Sequence, residues 1–320
     1  MLSLGIDIGG SKIEAVVLNS LGETVYKQRY PTEKQSYIAF FTLLCRVIDD
    51  VHQAVSHPFS IGICLPGTVE ASNGDIKNSN ILVINQQPLP AMLEAYCRQP
   101  IAISNDANCF ALSEAIDGAG KGYDTVFGVI LGTGCGGGIA IHQQVIDGRN
   151  RCAGEWGHNA LPRYSPERDG PTAICYCGQD NCIESFISGT GLSQRYNLRY
   201  HRSLTAKEIL DAVDMQDGDA RSQFTLFQDQ LARSLADVVN LLDPDVIVIG
   251  GGLSNRRVLY QGLDTQVARY VFSNTFTTPI LQAVHGDSSG VRGAAWLGQK
   301  LSSTSAETPR GMPIRIEGNE

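Results

Sequence analysis

A carboxylate set between two asparagines, in the run Asn105-Asp106-Ala107-Asn108, follows the short apolar stretch Ile101-Ala102-Ile103 and precedes residues of helical character. An acid at that junction has two uses. It can cap the helix by accepting backbone N–H groups, or it can accept a proton from a hydroxyl that attacks a nearby electrophile. A carboxylate with an ordinary pKa of about 4 does not deprotonate an alcohol in the ground state. In a loose phosphoryl transfer it need not, because the hydroxyl turns acidic only as the new bond forms.

A second group of residues has metal chemistry. Cys175, Cys177 and Cys182 are spaced C-x-C-x4-C in CYCGQDNCIE, and His158 lies upstream in GEWGHNALP. Three thiolates and one imidazole make a closed tetrahedral Zn2+ set with no open position, which points to a structural ion. Unpaired core thiols are the alternative; a disulfide within C-x-C is strained. The other cysteines, Cys45, Cys64, Cys97, Cys109, Cys135 and Cys152, are scattered and bring the total to an odd nine, the pattern of reduced thiols in a cytoplasmic protein. Glu155 precedes His158 by three residues and Glu184 follows Cys182 by two, so a bound zinc would fix two carboxylates side by side, suited to neighbouring sugar hydroxyls. As surface glutamates they would carry no such meaning.

Three glycine turns complete the set. DIGGSK, residues 7 to 12, places Gly9, Gly10, Ser11 and Lys12 after a strand, where N–H groups can converge on an anion without a Cβ in the way. LGTGCGGG repeats the arrangement with Gly132, Thr133 and Gly134, and Gly250, Gly251 and Gly252 end a third strand, open to a flat adenine and its ribose. Each is weak alone, since any tight hairpin favours glycine, and none is a Walker A or dinucleotide fingerprint. Together, two opposed phosphate hairpins and a nucleoside-side turn point to ATP held across a cleft. Asp106 would then face the γ-phosphate, and Asp7 would be a carboxylate on the Mg2+ side, acting through water.

The elements that must position these residues are readable from periodicity. LSLGIDIG, IEAVVLNS and TVYKQRY read as an antiparallel meander, followed by a helix from Tyr37 to Val55 and the strand SIGICL. The pattern restarts at Thr125 with TVFGVILG as a strand, TGCGGG as a turn and IAIHQQVI as a second strand, which points to a duplicated α/β unit. Phe224, Phe227, Leu231, Leu235, Val238 and Leu242 recur at intervals of three and four, the buried face of a long helix. DVIVIGGG is a further apolar strand, GVRGAAWLG a small-residue helix, and the chain from Leu301 has the composition of a disordered tail.

The chain has 320 residues, 42% hydrophobic, with 33 acidic against 25 basic residues for a net charge of −8. That charge, without a Lys/Arg cluster, argues against nucleic acid as a partner. No window has the roughly 18 apolar residues of a membrane span, and the N-terminus lacks a basic leader, so a cytoplasmic protein is expected.

The quoted motifs, with NDANCFALSEA, DPDVIVIGGG and HGDSSGVRGAAWL in the same order, resemble the ROK family of repressors, open reading frames and kinases over Leu2 to Leu297. The resemblance implies an α/β fold of two actin-like domains, ribonuclease-H-like and hexokinase-type, with the active-site cleft between them. The expected division is residues 1–117, with a helix over 288–300 packing back on them; 118–287, carrying the zinc loop; and a tail over 301–320. It implies ATP-dependent phosphorylation of a hexose and puts the catalytic base on Asp106. Sugar contacts fall on Asn80, Asn105, Asp106, Glu155, His158 and Glu184, and zinc ligands on His158, Cys175, Cys177 and Cys182. Ser11 stands where the family usually has Thr, keeping the hydroxyl, and Tyr176 stands where Gly is common. Only six residues precede Asp7, too few for a DNA-binding module, so a kinase is expected rather than a sugar-sensing regulator. Trp156 and Asn159 match the fructokinase pattern, which makes fructose the expected acceptor at its 6-hydroxyl and N-acetylglucosamine the alternative, ahead of glucose and N-acetylmannosamine. A homodimer is expected from the family alone.

Overall fold

The computed structural model describes residues 1–307. It opens with the expected meander: β1 (Leu2–Ile8), β2 (Lys12–Leu18) and β3 (Thr24–Pro31) pair antiparallel. In α1 (Tyr37–Ala54) the Ser36 hydroxyl accepts from the Ala39 N–H at 3.2 Å, and Phe40, Leu44, Val47, Ile48 and Val51 form its buried stripe. β4 (Phe59–Leu65) is buried along its whole length, as a strand with parallel neighbours on both sides must be. A small hairpin of β5 (Thr68–Val69) and β6 (Ile76–Lys77) and the helix α2 (Leu89–Cys97) lead to β7 (Ile101–Asn105). From the end of β7 the chain turns directly into α3 (Asp106–Asp117).

The second half repeats this order. β8 (Thr125–Leu131), β9 (Cys135–Ile141) and the short β10 (Gln144–Val145) are again antiparallel. Here the expected boundaries shift: the turn is only Gly132 to Gly134, Gly136 to Gly138 belong to β9, and the strand stops before His142 and Gln143, which take positive φ. The reason is packing: Gly138 faces the Ala107 carbonyl, where a Cβ would lie 2.2 Å away. A long excursion holds α4 (Pro166–Asp169), α5 (Glu184–Ile187), α6 (Gly189–Tyr200), α7 (Ala206–Asp214) and α8 (Gly218–Leu242). It returns through β11 (Val246–Gly250), α9 (Leu263–Ala268) and β12 (Ile280–Gln282) to α10 (Ser289–Glu307). The loss of structure expected at Leu301 does not begin there, since α10 continues to Glu307; the remainder of that stretch lies outside the described residues.

The sheets have orders β3-β2-β1-β4-β7 and β10-β9-β8-β11-β12. Each has two antiparallel pairings followed by two parallel ones, so the repeat seen in sequence is a repeat of topology. The fold is the α/β pair of actin-like units expected. One large apolar cluster lies on each sheet. α3 packs on β8 and β9 as well as beside α10, which itself crosses β1 and β4, so these two helices join the halves. Asp117 at the end of α3 fastens the joint: it takes hydrogen bonds from Arg292, from Trp296 Nε1 at 3.0 Å and from His285 Nε2 at 3.0 Å. Among the described residues no helix is long and apolar enough to cross a membrane.

Candidate active site

Parallel strands expose their carboxyl ends at one edge of a sheet, and that edge collects the candidate residues. β1 ends beside Asp7, β4 ends at Leu65 in register with Asn105 of β7, and β8 and β11 end at Leu131 and Gly250. Asn80 is exposed in the loop after β6. That loop packs on the Pro66-Gly67 turn beyond β4, where a Cβ on Gly67 would lie 3.0 Å from the Ser79 nitrogen, and the Asn85 side chain braces Ser79 through two hydrogen bonds of 2.9 Å.

The two readings of Asp106 separate here. Asn105, not Asp106, caps α3: its Oδ1 accepts from the Asn108 N–H at 2.7 Å, leaving the Asn105 amide NH2 as what it can offer a ligand. Asp106 is the first helical residue and accepts locally from the Ala107 N–H at 2.9 Å. Its side chain is open to solvent yet sunk among protein atoms, and that loss of water lifts its carboxyl above the usual range, against the pull of the adjacent N–H groups. Asp7 is pushed up to about 6, first by burial and then by the negative charges of Asp106 and Glu14, with a hydrogen bond from Cys64 acting in the opposite direction. Cys64 is its parallel partner in the register of β1 and β4. Glu155 is raised as well, by burial first, with His158 lowering it and Asp106 and Glu184 raising it. Asp106 therefore lies near enough to Asp7 and to Glu155 for its charge to act on both, although the three come from β1, α3 and the loop after β10.

The zinc-type residues converge. Single ligand atoms of His158, Cys175, Cys177 and Cys182 all lie within 4.8 Å of one another. Cys175 Sγ is 3.6 Å from His158 Nδ1, and Cys177 Sγ is 3.6 Å from Cys182 Sγ. Ligands about 2.3 Å from a tetrahedral zinc stand roughly 3.7 Å apart, so the set fits that ion, whereas a disulfide needs about 2.05 Å. The loop is built locally: the Cys175 N–H donates to the Gln179 carbonyl and the Gly178 N–H to the Cys175 carbonyl, both at 2.9 Å, and Ala160 bridges Cys182. Asn181 supplies the positive φ of 56° that the tight turn before Cys182 demands. Between His158 and Cys175 the chain is pinned to α8 by Asp169, fully buried, which accepts from Ser165 N–H at 3.0 Å, Gln230 Nε2 at 3.1 Å and Arg233.

Glu184, the first residue of α5, is turned towards the second glycine turn. Its Oε2 accepts from the Cys135 N–H at 2.7 Å, and a Cβ on Gly134 would come within 2.5 Å of that oxygen. The same residue thus joins the metal loop to the turn expected to bind phosphate, a link that sequence reasoning missed because spacing showed only its distance from Cys182. In the first turn the Gly9 N–H donates to the Lys12 carbonyl at 2.9 Å, Ser11 and Lys12 are exposed, and Gly10 faces open space. In the second, Gly132 and Thr133 accept from the N–H groups of Gly189 and Thr190 at the start of α6. The third turn is narrower than expected. Gly250 is required by the Phe110 ring, Gly251 by its φ of 83° against Leu131, and only Gly252 borders open space. Further along the chain Asn255, Arg256, Val258 and Gln261, together with Val213 and Gln216, line a cavity of about 470 Å3.

Two further features were not legible. Asp147 braces the loop that leads to Glu155 against β7 and α3, accepting from Asn108 Nδ2 at 3.0 Å and Ser104 Oγ at 3.3 Å. The Tyr176 hydroxyl lies 3.0 Å from His158 Nε2.

The ROK family profile matches residues 3–301. The chain belongs to the ROK family. Among curated relatives, the ROK chain is 38% identical over 296 residues to the N-acetyl-D-glucosamine kinases of Escherichia coli O139:H28 and of strain K12, covering 92% of this chain and 98% of each relative. Among solved structures it resembles the ROK hexokinase of Thermus thermophilus, with TM-score 0.86 and 25% identity over 95% of this chain and 100% of that one. The ROK glucokinase of Streptomyces griseus, in complex with glucose and AMPPNP, follows at TM-score 0.74 and 26% identity over 94% and 100%. The residues behind the fructose expectation divide. Trp156 is buried, meets Phe127 edge-on at 5.5 Å and donates to the Gly136 carbonyl at 3.0 Å, so it is scaffold; only Asn159 is exposed.

Proposed function

We propose that this ROK chain is an ATP-dependent sugar kinase that phosphorylates the 6-hydroxyl of a hexose with Asp106 as general base. The observation that carries the reading is that Asn105 caps α3 and releases Asp106, whose charge reaches both Asp7 and Glu155. The sugar oxygen attacks the γ-phosphorus in line, that O–P bond forms as the bond to the leaving ADP oxygen breaks, and the hydroxyl proton passes to the Asp106 carboxylate. The turns at Gly9 to Lys12 and Gly132 to Gly134 bind phosphate through N–H groups and the Thr133 hydroxyl, and the nucleoside extends past Gly252 into the cavity that Asn255 lines. Asp7 would hold Mg2+ through water; when bound, that ion shares the charge of the phosphates. Asn80, Asn105, Glu155, His158 and Glu184 contact the sugar.

His158, Cys175, Cys177 and Cys182 hold one structural Zn2+, which fixes His158 and the start of α5. Elemental analysis of purified protein should find one equivalent per chain, and less than a tenth of an equivalent in active protein would overturn this.

N-acetyl-D-glucosamine is the proposed acceptor. It is supported by the curated relatives of that name at 38% identity and by the withdrawal of Trp156 from the argument for fructose. The test is a coupled assay with ATP, Mg2+ and N-acetylglucosamine, fructose, glucose, mannose and N-acetylmannosamine. The highest kcat/KM should fall on N-acetylglucosamine; a higher value for fructose restores the fructokinase reading, and turnover of none of them rejects the kinase.

A further inference from the structure

Glu184 stands between the two substrates of the proposed reaction. Its Oε2 accepts from the Cys135 N–H at 2.7 Å, and a Cβ on Gly134 would lie 2.5 Å from the same oxygen. Cys135 follows Gly134 directly and opens β9, so the carboxylate rests on the turn proposed to bind phosphate. A backbone donor at that turn is thus taken by an anion of the chain itself. An N–H that holds a carboxylate oxygen at 2.7 Å is suited to hold a phosphate oxygen. The two anions exclude each other there, because both seek one donor and like charges repel at that distance. The turn does not need Glu184 for its shape. The Gly132 N–H donates to the Gly134 carbonyl at 3.0 Å, the Gly132 carbonyl accepts from the Gly189 N–H at 2.7 Å, and Cys135 pairs with Leu131 in the ladder of β8 and β9. The backbone of Glu184 is fixed as well, two residues beyond Cys182 and with its carbonyl accepting from the Ser188 N–H at 3.2 Å. What can change partner is the half-buried side chain.

We infer that the Glu184 carboxylate is an internal competitor of the nucleotide phosphates: it occupies the Cys135 N–H until a sugar hydroxyl draws it away, and the freed N–H then donates to a phosphate oxygen. The inference rests on the sugar-kinase reading, in which Glu184 contacts the sugar, and gives that contact a second consequence. Exchanging an N–H for hydroxyl donors leaves the carboxylate satisfied, so its release costs little. The sugar meets the carboxylate only in the released position, and its binding therefore shifts the side chain that way. By reciprocity the sugar tightens nucleotide binding by the same factor as the nucleotide tightens sugar binding.

The test compares wild type, Glu184→Ala and Glu184→Gln as zinc-loaded full chains. Calorimetric titration with Mg-AMPPNP gives Kd, first without sugar and then with N-acetylglucosamine or fructose present, and zinc content and Tm are measured on the same samples. Wild type should bind AMPPNP about tenfold tighter when sugar is present. Glu184→Ala leaves the N–H to the phosphate, so it should bind AMPPNP without sugar about tenfold tighter than wild type does and gain less than about twofold from the sugar. Glu184→Gln loses the charge but keeps an acceptor and should fall between the two. Weaker binding in Glu184→Ala overturns the inference, since Glu184 would then brace the turn, and so does unchanged binding. If that variant loses zinc or Tm, Glu184→Gln decides, and a gain under about twofold without sugar overturns the inference. Tighter AMPPNP binding in the variants of a protein that binds no sugar rejects the sugar reading and leaves the competition at Cys135 standing; AMPPNP bound by none of the chains overturns both.

Discussion

Two groups of carboxylates in this molecule are each pushed upward by loss of water and end with opposite electrostatics. In the cleft, Asp7, Asp106 and Glu155 are all raised above the usual range, burial being the largest cause, with the charge of Asp106 adding to it at Asp7 and at Glu155. Lys12 offsets only part of this at Asp7, and His158 only part at Glu155. In the scaffold, burial would also raise Asp169 and Asp117, yet both are held low. Asp169 has the Ser165 N–H, Arg233 and Gln230; Asp117 has His285 and Arg292. Loss of water therefore does not by itself decide how a carboxylate titrates. What decides is whether the fold supplies a cation or enough N–H donors. The scaffold acids are satisfied within the chain, and the cleft acids are left short of positive charge, which a cation arriving with the nucleotide would supply.

Removing the cation from the satisfied group should have the largest effect. Arg233→Met leaves Asp169 without its buried guanidinium, only the more exposed Arg168 remaining as a cation at 3.3 Å, and should cost about 3–5 kcal/mol in denaturant unfolding, and a loss under about 1 kcal/mol would break the comparison. Asp169 is held below its ordinary value of 3.8, so its contribution is present above that pH and disappears as pH falls below it; variant and wild type should converge in acid. Asp106→Asn should lower kcat at least about a hundredfold while ATP still binds and Tm is not reduced. Near-normal turnover would return Asp106 to the role of a helix-end acid. The smallest effect sharpens the contrast most. Asp7 is raised from 3.8 to about 6, so its ionised form opposes folding, fully above that range and not at all below about 4. Asp7→Asn should therefore raise the Tm of ligand-free protein at pH 8, with the gain fading by pH 4, while weakening Mg-ATP binding. A lower Tm at pH 8 would mean that Asp7 has a built-in counter-charge after all.

Much of the site was legible because it is local. Zinc-type ligands announce themselves by residue type and short spacing, and three of the four lie in one eight-residue turn closed by its own backbone hydrogen bonds. Paired glycines at strand ends, the α8 stripe and the repeated strand-turn-strand order are likewise properties of neighbouring residues. The cap was ambiguous because Asn105 and Asp106 are adjacent and both suit a helix start; the choice between them depends on the direction in which β7 delivers the chain.

What the sequence by itself determined is therefore the list of chemical parts and the type of each element: the acids, the thiolates with their histidine, the glycine turns and two copies of one α/β pattern. Only the tertiary structure decided which parts meet. Asp7 reaches Asp106 because β1, β4 and β7 run parallel in a register that sets Asp7 beside Cys64 and Leu65 beside Asn105. Glu184 reaches the Cys135 N–H, Trp156 turns into the core, and Tyr176 finds His158. Periodicity reports the face on which a side chain lies, but its partner comes from a distant part of the chain and is set by how sheets and helices pack.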